Sequence, residues 1–168
     1  CAGEALIAGQ GTVALEILEE LPGALTFVVP VGGGGLVGGV AVLVRAVSPA
    51  ARIVGVQSEL TNAMAASLAA GRRAEVAVTP TLADGLAGQI DDVGLAIGRV
   101  SIDEMITVSE AEIAEAIEWL SRRHGLRVEG SGAVTVASIL HGRISSIRGP
   151  VAAVLSGGNR AALVDEGG

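Results

Sequence analysis

The sequence contains no lysine, and all 11 of its basic residues are arginines. This absence excludes a P-loop nucleotide site, because the glycine-rich loop of that motif is followed by a lysine that reaches the phosphates. Without a lysine, none of these 168 residues has a side-chain amine that could form a Schiff base with a carbonyl group.

Aromatic residues are nearly absent, with one Phe, one Trp and no Tyr, although 50% of the residues are hydrophobic. The core must therefore consist of Val, Leu, Ile and Ala, which is typical of buried parallel strands and the helices that cover them. A single cysteine, Cys1, excludes an internal disulfide framework. The net charge of −7 leaves no basic face for nucleic acid, so no such partner is expected.

Strand-like and helix-like segments alternate along the chain. β-branched apolar runs predict strands at 27–31, 52–57, 105–108 and 151–155. Apolar periodicity predicts helices at 12–21, 36–47, 62–70, 110–124 and 133–140, with one or two further turns at 93–99. Residues 1–11 contain three glycines and are expected to form a loop. The alternation predicts an α/β fold with an open, mostly parallel sheet and covering helices.

The helix predicted at 110–124 has clear end signals. Ser109 and Glu112 form a capping-box pattern, and Gly125 follows the last predicted turn. Its acidic residues are interpreted as a solvated face; they are Glu110, Glu112, Glu115 and Glu118.

Four consecutive glycines, Gly32 to Gly35, separate a predicted buried strand from an apolar helix that starts at Leu36. Glycines leave the backbone amides open to a ligand, and the positive end of the helix dipole favours an anion there. We interpret this strand-to-helix turn as a phosphate cradle.

Two other interpretations of this region remain. Gly33, Gly35 and Gly38 satisfy the dinucleotide pattern G-x-G-x-x-G, but the next strand ends in Gln57 where an acid should meet the ribose. The uncharged stretch 24–44 has the length of a membrane span, about 20 residues. Because a proline and the four glycines interrupt that stretch, no membrane span is expected.

A second glycine-containing loop, from Ser156 to Asn159, also follows a predicted strand. The carboxyl ends of parallel strands meet at one edge of the sheet, so this loop and the cradle should converge. With the segments at Asp84–Gly85 and Glu129–Gly132, they would surround one small, flat, phosphorylated ligand.

These motifs follow one another in an order that resembles a known family. They are the segments 8–16, 29–36, 82–85, 129–132 and 155–159. Together they resemble the second half of the serine/threonine dehydratase and serine racemase family, which are pyridoxal-phosphate enzymes of the tryptophan-synthase β type. The resemblance implies that type of fold and pyridoxal 5′-phosphate as the cofactor.

The resemblance also implies which residues bind the cofactor. The backbone amides that would hold its phosphate are those of Gly32, Gly33, Gly34, Gly35 and Leu36. Ser156, followed by Gly157, would hydrogen-bond the pyridine nitrogen, and Gly85 and Glu129 would lie beside the ring. A neutral hydroxyl does not keep the pyridine protonated, which suits β-elimination.

In this family, β-elimination converts L-threonine or L-serine into a 2-oxo acid and ammonia. The resemblance implies this activity for the full-length protein, with an amino-acid substrate, a homodimeric or tetrameric assembly and a cytoplasmic location. The alternatives are a β-replacing enzyme of the cysteine or threonine synthase kind, a NAD-binding domain, and a non-catalytic binding module.

The sequence departs from the family at two points. The Schiff-base lysine belongs to the first half, so residues 1–168 are interpreted as a single partial domain without a regulatory domain, and no catalytic residue is assigned. Many relatives bind a divalent cation through two acids, but the matching positions here are Gln57 and Ala63. No metal site is therefore predicted.

Overall fold

A computed structural model of the chain describes residues 3–157, and its centre is a four-stranded parallel sheet. The strands are β1 (Thr26–Pro30), β2 (Arg52–Ser58), β3 (Glu104–Val108) and β4 (Val151–Ala153). Their order is β3-β2-β1-β4, and every neighbouring pair is parallel. The predicted α/β class with an open parallel sheet is confirmed.

Within residues 3–157, six α-helices cover the sheet. They are α1 (Glu4–Glu20), α2 (Gly35–Val47), α3 (Ala63–Ala70), α4 (Asp92–Ser101), α5 (Glu110–His124) and α6 (Gly130–Leu140). The same residues include 3₁₀ turns at Glu59–Thr61 and Asp84–Leu86. Buried residues of α1 to α4 form one hydrophobic cluster with the sheet, and those of α5 and α6 form a second. The sheet therefore lies between two helical layers.

The central strand β1 is buried on both faces, which explains its continuous apolar sequence. Phe27 and Val29 contribute to the cluster with α1 to α4, whereas Val28 contributes to the cluster with α5 and α6. The chain passes from β1 to β2 to β3 in one direction across the sheet, but β4 pairs with the other side of β1. Such a reversal opens a crevice at the carboxyl ends of the two strands.

The predicted capping box at the start of α5 is confirmed. The Ser109 side chain accepts a hydrogen bond from the Glu112 amide at 3.3 Å, and the Glu112 carboxylate accepts one from the Ser109 amide at 2.7 Å. Gly125 closes the helix in the left-handed conformation, with φ of 65°.

The loop predicted for residues 1–11 is wrong, because α1 already begins at Glu4. Its glycines disfavour a helix on their own, but Gly11 together with Gly39 of α2 allows the two helices to pack at backbone distance. A Cβ added to Gly39 would lie 2.5 Å from the carbonyl oxygen of Ile7 and 2.7 Å from the amide nitrogen of Gly11. Tertiary packing thus overrides the low helix propensity of glycine.

Two other helices are longer than predicted. The turns expected at 93–99 belong to a ten-residue helix, α4, which Asp91 caps by accepting a hydrogen bond from Gly94. Helix α6 begins at Gly130 rather than Ala133, so two glycines lie in its first turn. Both differences are at helix ends, which depend on local contacts more than on periodicity.

The uncharged stretch 24–44 is divided between strand β1 and helix α2. Among residues 3–157, no helix is both long enough and apolar enough to cross a membrane.

The contact between α1 and α2 predicts opposite effects for two Gly→Ala substitutions. Gly39→Ala would force the two helices apart and should lower the free energy of unfolding by about 1–3 kcal/mol. Gly9→Ala is the matched control, because a Cβ there has no neighbour within 4 Å. It should stabilise the protein by up to about 1 kcal/mol through helix propensity. Urea titrations of both variants measure the difference, and equal effects would contradict this packing.

Candidate functional site

A cleft of 230 Å³ lies at the carboxyl ends of β1 and β4, where the strand order reverses. One wall of the cleft is formed by the end of β1, the glycine run and the start of α2. The rest of the lining comes from α1, the 84–86 turn and the segment after β4. The residues that line it are Leu6, Gln10, Pro30, Val31, Gly32, Gly33, Gly34, Gly35, Leu36, Val37, Gly85, Leu86 and Ser156. Of the predicted site residues, all except Glu129 and Gly157 therefore meet in one cleft.

The backbone of the glycine run is arranged to bind an anion. Gly34 caps α2 in the left-handed conformation, with φ of 98°, which side-chain-bearing residues rarely adopt. Within residues 3–157, no acceptor takes the amide hydrogens of Gly32 to Leu36. The first amides of a helix have no partner inside the helix, and the helix dipole adds positive potential at the same place.

Helix α4 holds the glycine run from behind. The amide of Gly94 donates to Asp91 Oδ1 at 2.7 Å, and a Cβ on Gly94 would lie 2.7 Å from the carbonyl oxygen of Gly33. On the same side, a Cβ on Gly34 would lie 3.4 Å from the Met64 methyl group. The run is therefore packed against two helices, so its amides are fixed before any ligand arrives.

The first turn of α6 holds together two loops of the site. Ser131 Oγ accepts a hydrogen bond from the Gly85 amide at 2.9 Å. A side chain on Gly132 would overlap the carbonyl oxygen of Ser156, so this glycine allows the β4 loop to approach. Thr135 strengthens the same contact by donating to the carbonyl oxygen of Val154 at 3.2 Å. The two glycines in the first turn of α6 thus lie where close contacts with neighbouring loops leave no room for a Cβ.

Glu129 and Gly157 lie outside the residues that line the cleft. A side chain on Gly157 would overlap the side chain of Glu129. The carboxylate of Glu129 also lies 3.5 Å from the position of a Cβ on Gly85. The predicted residues Glu129, Gly157 and Gly85 are thus neighbours at one edge of the cleft. The rest of the predicted loop, Gly158 and Asn159, falls outside the described residues.

Glu110 anchors the loop that leads to Gly85. Its carboxylate accepts hydrogen bonds from Ser58 Oγ at 2.5 Å, Thr81 Oγ1 at 2.7 Å and the Leu82 amide at 2.6 Å. Burial raises the pKa of Glu110, but these three hydrogen bonds together lower it by more, and the net pKa lies below the ordinary value. The carboxylate is therefore charged at neutral pH.

The interpretation of the α5 acids as one solvated face is wrong for Glu110 and for Glu112. Glu112 is 7% exposed, and its carboxylate accepts hydrogen bonds from Arg143 and from the Ser109 amide. Burial raises the pKa of Glu112, but the hydrogen bonds and the Arg143 charge bring it below the ordinary value. Helical periodicity places residues on a face but does not show which loops cover that face.

Leu6 and Gln10 also line the cleft, although they lie in the segment predicted to be a loop and have no predicted role. They lie one turn apart on α1. The spacing of Leu6, Gln10 and the apolar residues after them continues the helical pattern of 12–21 across Gly9 and Gly11. This spacing is the sequence signal that could have shown that both residues are helical.

The positions considered for a cation have other roles. Gln57 is 1% exposed, and its Oε1 accepts a hydrogen bond from the Ala65 amide at 3.0 Å. Ala63 is the first residue of α3. In the part of the chain that the structure describes, no group of three His, Cys, Asp or Glu side chains is placed to hold a metal ion.

Comparison with known proteins identifies the family. The family model described as "Pyridoxal-phosphate dependent enzyme" matches residues 2–157. The chain belongs to this family of pyridoxal-phosphate-dependent enzymes. The predicted resemblance and the predicted cofactor, pyridoxal 5′-phosphate, are confirmed. The dinucleotide interpretation of the glycine run is not favoured.

Individual relatives agree with this assignment. The chain is 45% identical over 155 residues to an L-threonine ammonia-lyase of Thermotoga maritima, with 92% of the chain and 38% of that relative covered. The crystal structure of a T.th. threonine deaminase has a TM-score of 0.86 and 36% identity, covering 93% of the chain and 59% of the deaminase. Maize serine racemase has a TM-score of 0.84 and 33% identity, covering 95% of the chain and 51% of the racemase. The chain thus spans less than two thirds of each.

The residues present fit the cofactor. Its phosphate is a dianion that needs several hydrogen-bond donors, and the amides of Gly32 to Leu36, which have no acceptor among residues 3–157, could supply them. Ser156 lies in the same cleft and offers a neutral hydroxyl to a ring nitrogen. The cleft also has an apolar side, with Leu6, Val31 and Leu86 available to contact a flat ring.

The anchoring role of Glu110 predicts a pH-dependent effect for Glu110→Gln. The wild-type hydrogen bonds require the carboxylate, so the variant should lose about 1–2 kcal/mol of unfolding free energy at pH 7. Because the folded-state pKa is lowered, the difference should be complete above the unfolded pKa of about 4.3 and should shrink as pH falls through the folded-state pKa.

Denaturant titrations from pH 3 to 7 measure this difference. Glu118→Gln is the matched control on the same helix, since the Glu118 side chain is 56% exposed and its ion pair should contribute at most about 1 kcal/mol. A Glu110→Gln effect that did not change with pH would contradict the proposed dependence on charge.

Proposed function

We propose that the protein carrying this chain is a pyridoxal-phosphate-dependent ammonia-lyase that converts L-threonine or L-serine into a 2-oxo acid and ammonia. The observation that carries the proposal is a single cleft that contains both the amides of Gly32 to Leu36, which have no acceptor in the described part of the chain, and the hydroxyl of Ser156. The name and 45% identity of the Thermotoga maritima L-threonine ammonia-lyase support this choice of reaction.

In this proposal each site residue has a defined role. The amides of Gly32, Gly33, Gly34, Gly35 and Leu36 bind the cofactor phosphate. Ser156, positioned by Gly132 and followed by Gly157, hydrogen-bonds the pyridine nitrogen. Gly85 and Glu129 lie beside the ring, and Ser131 and Glu110 hold the Gly85 loop in place.

The cofactor would supply an electron-withdrawing group that makes it easier to remove a proton from the substrate α-carbon and to expel the β-hydroxyl. This chain's contribution is to orient that group and to set its electronic character. A serine hydroxyl, unlike a carboxylate, does not stabilise a positive charge on the pyridine nitrogen. The resulting milder electron withdrawal favours elimination over transamination.

The proposal concerns the whole protein and not these residues alone. The sequence has no lysine, and the chain covers 38% of the Thermotoga maritima relative. We propose that residues 1–168 are the carboxy-terminal part of a catalytic domain and that the Schiff-base lysine lies elsewhere in the protein. A homodimeric or tetrameric assembly, an amino-acid substrate and a cytoplasmic location belong to the same proposal.

Cofactor binding can be tested on the purified protein by thermal unfolding with pyridoxine 5′-phosphate, an alcohol that does not react with amines. At 100 times its Kd it should raise the unfolding free energy by about 2.7 kcal/mol. Pyridoxine, which lacks the phosphate, should give a much smaller shift, and NAD should give none. Stabilisation by NAD without stabilisation by pyridoxine 5′-phosphate would overturn the cofactor assignment at this site.

The reaction can be tested on the full-length protein by measuring 2-oxo acid release from L-threonine and L-serine. Ser156→Ala should lower kcat by about tenfold or more, because a hydrogen bond to the ring is lost, while cofactor binding through the phosphate persists. A cofactor-loaded enzyme that releases no 2-oxo acid from either amino acid would exclude the proposed activity.

A further inference from the structure

We propose that the side chain of Gln10 is a further ligand of the phosphate group held by Gly32 to Leu36. This inference rests on the proposed function, since it takes the cleft to be the cofactor site. It extends that site to α1, a helix in which no cofactor-binding residue is predicted from the sequence.

The position of Gln10 follows from the close contact of the two helices. A Cβ on Gly39 would lie 2.6 Å from the Cβ of Gln10, so Gln10 is in contact with the backbone of α2. Gly39 is one turn after Gly35, the first residue of that helix, a distance of about 6 Å along the axis. Gln10 lines the cleft together with the glycine run. The cradle is thus within the reach of one side chain.

The carboxamide of Gln10 makes no hydrogen bond within residues 3–157, and the residue as a whole is half-buried. A glutamine amide carries two N–H donors, and a polar group partly removed from water is stabilised when it finds an acceptor. A phosphate oxygen bound at the start of α2 would be such an acceptor.

The electrostatics of the cleft make this donor important. Among the described residues that line the cleft, none carries a charge. The phosphate would therefore be bound by neutral donors alone, namely the backbone amides and Gln10, assisted by the helix dipole. Hydrogen bonds from neutral donors to an ionised acceptor are stronger than those between two neutral groups.

A charge series at position 10 tests the proposal. Dissociation constants for pyridoxine 5′-phosphate and for inorganic phosphate are measured by calorimetry at about 0.15 M salt with Gln10→Met, Gln10→Glu and Gln10→Arg. We expect Gln10→Met to bind about tenfold more weakly and Gln10→Glu to bind more weakly still. Gln10→Arg should bind at least as tightly as the wild type, because its charge is opposite to that of the phosphate.

Matched controls are Ala5→Glu and Ala5→Arg, which place the same charges on an exposed part of α1 that does not line the cleft. Both should change the affinity by less than about twofold, because exposed charges farther away are screened by salt. Affinity for unphosphorylated pyridoxine provides a second control, and it should be the same in the wild type and in Gln10→Met. This comparison distinguishes loss of a phosphate contact from a general disturbance of the fold.

The outcomes separate this inference from the proposed function. A wild-type protein that binds neither phosphorylated ligand would overturn the proposed site itself. If the wild type binds and the position-10 variants bind equally well, the Gln10 assignment is wrong while the site stands. Equal shifts from Gln10→Glu and Ala5→Glu, or an equal loss of pyridoxine affinity in Gln10→Met, would also overturn it.

Discussion

A helix that begins without acceptors for its first amide hydrogens must find those acceptors outside itself. Among residues 3–157, the amides of Gly32 to Leu36 have no acceptor, and they lie where the strand order of the sheet reverses. Most of the surrounding structure keeps them in place: α4 packs behind the glycine run, α1 crosses α2 at Gly39, and the first turn of α6 draws in the loops that carry Gly85 and Ser156. The result is a set of preorganised amides that could bind an anion.

Glycine is used for two different physical purposes in this arrangement. At Gly34 the backbone adopts a left-handed conformation, which is a local requirement of the turn. At Gly39 and Gly132 the conformation is ordinary, but a Cβ would meet the backbone of another element. The high glycine content of the chain, 25 residues, therefore partly reflects contacts between elements and not only flexible loops.

The polar groups of the cleft are backbone amides and neutral side chains rather than charged ones. A neutral cradle and a neutral serine leave the electronic character of a bound cofactor to hydrogen bonds and to the helix dipole. The charged residues near the site act indirectly, by holding the segments around the cleft in place. Glu110 fixes the segment before Gly85, and Glu112 with Arg143 fixes α5 to the segment after α6. Charge thus stabilises the framework of the site rather than the ligand directly.

The sequence by itself determined the parallel α/β class, the position of the glycine turn before α2 and the strand that precedes Ser156, because buried strands and glycine turns depend on local composition and short-range geometry. The order of the motifs was sufficient to predict the family. Only the tertiary structure decided that residues 4–11 are helical, that α6 starts at Gly130, and that Gln10 lines the cleft with Ser156. These features arise from contacts between segments distant in sequence, where packing outweighs the preference of glycine for loops.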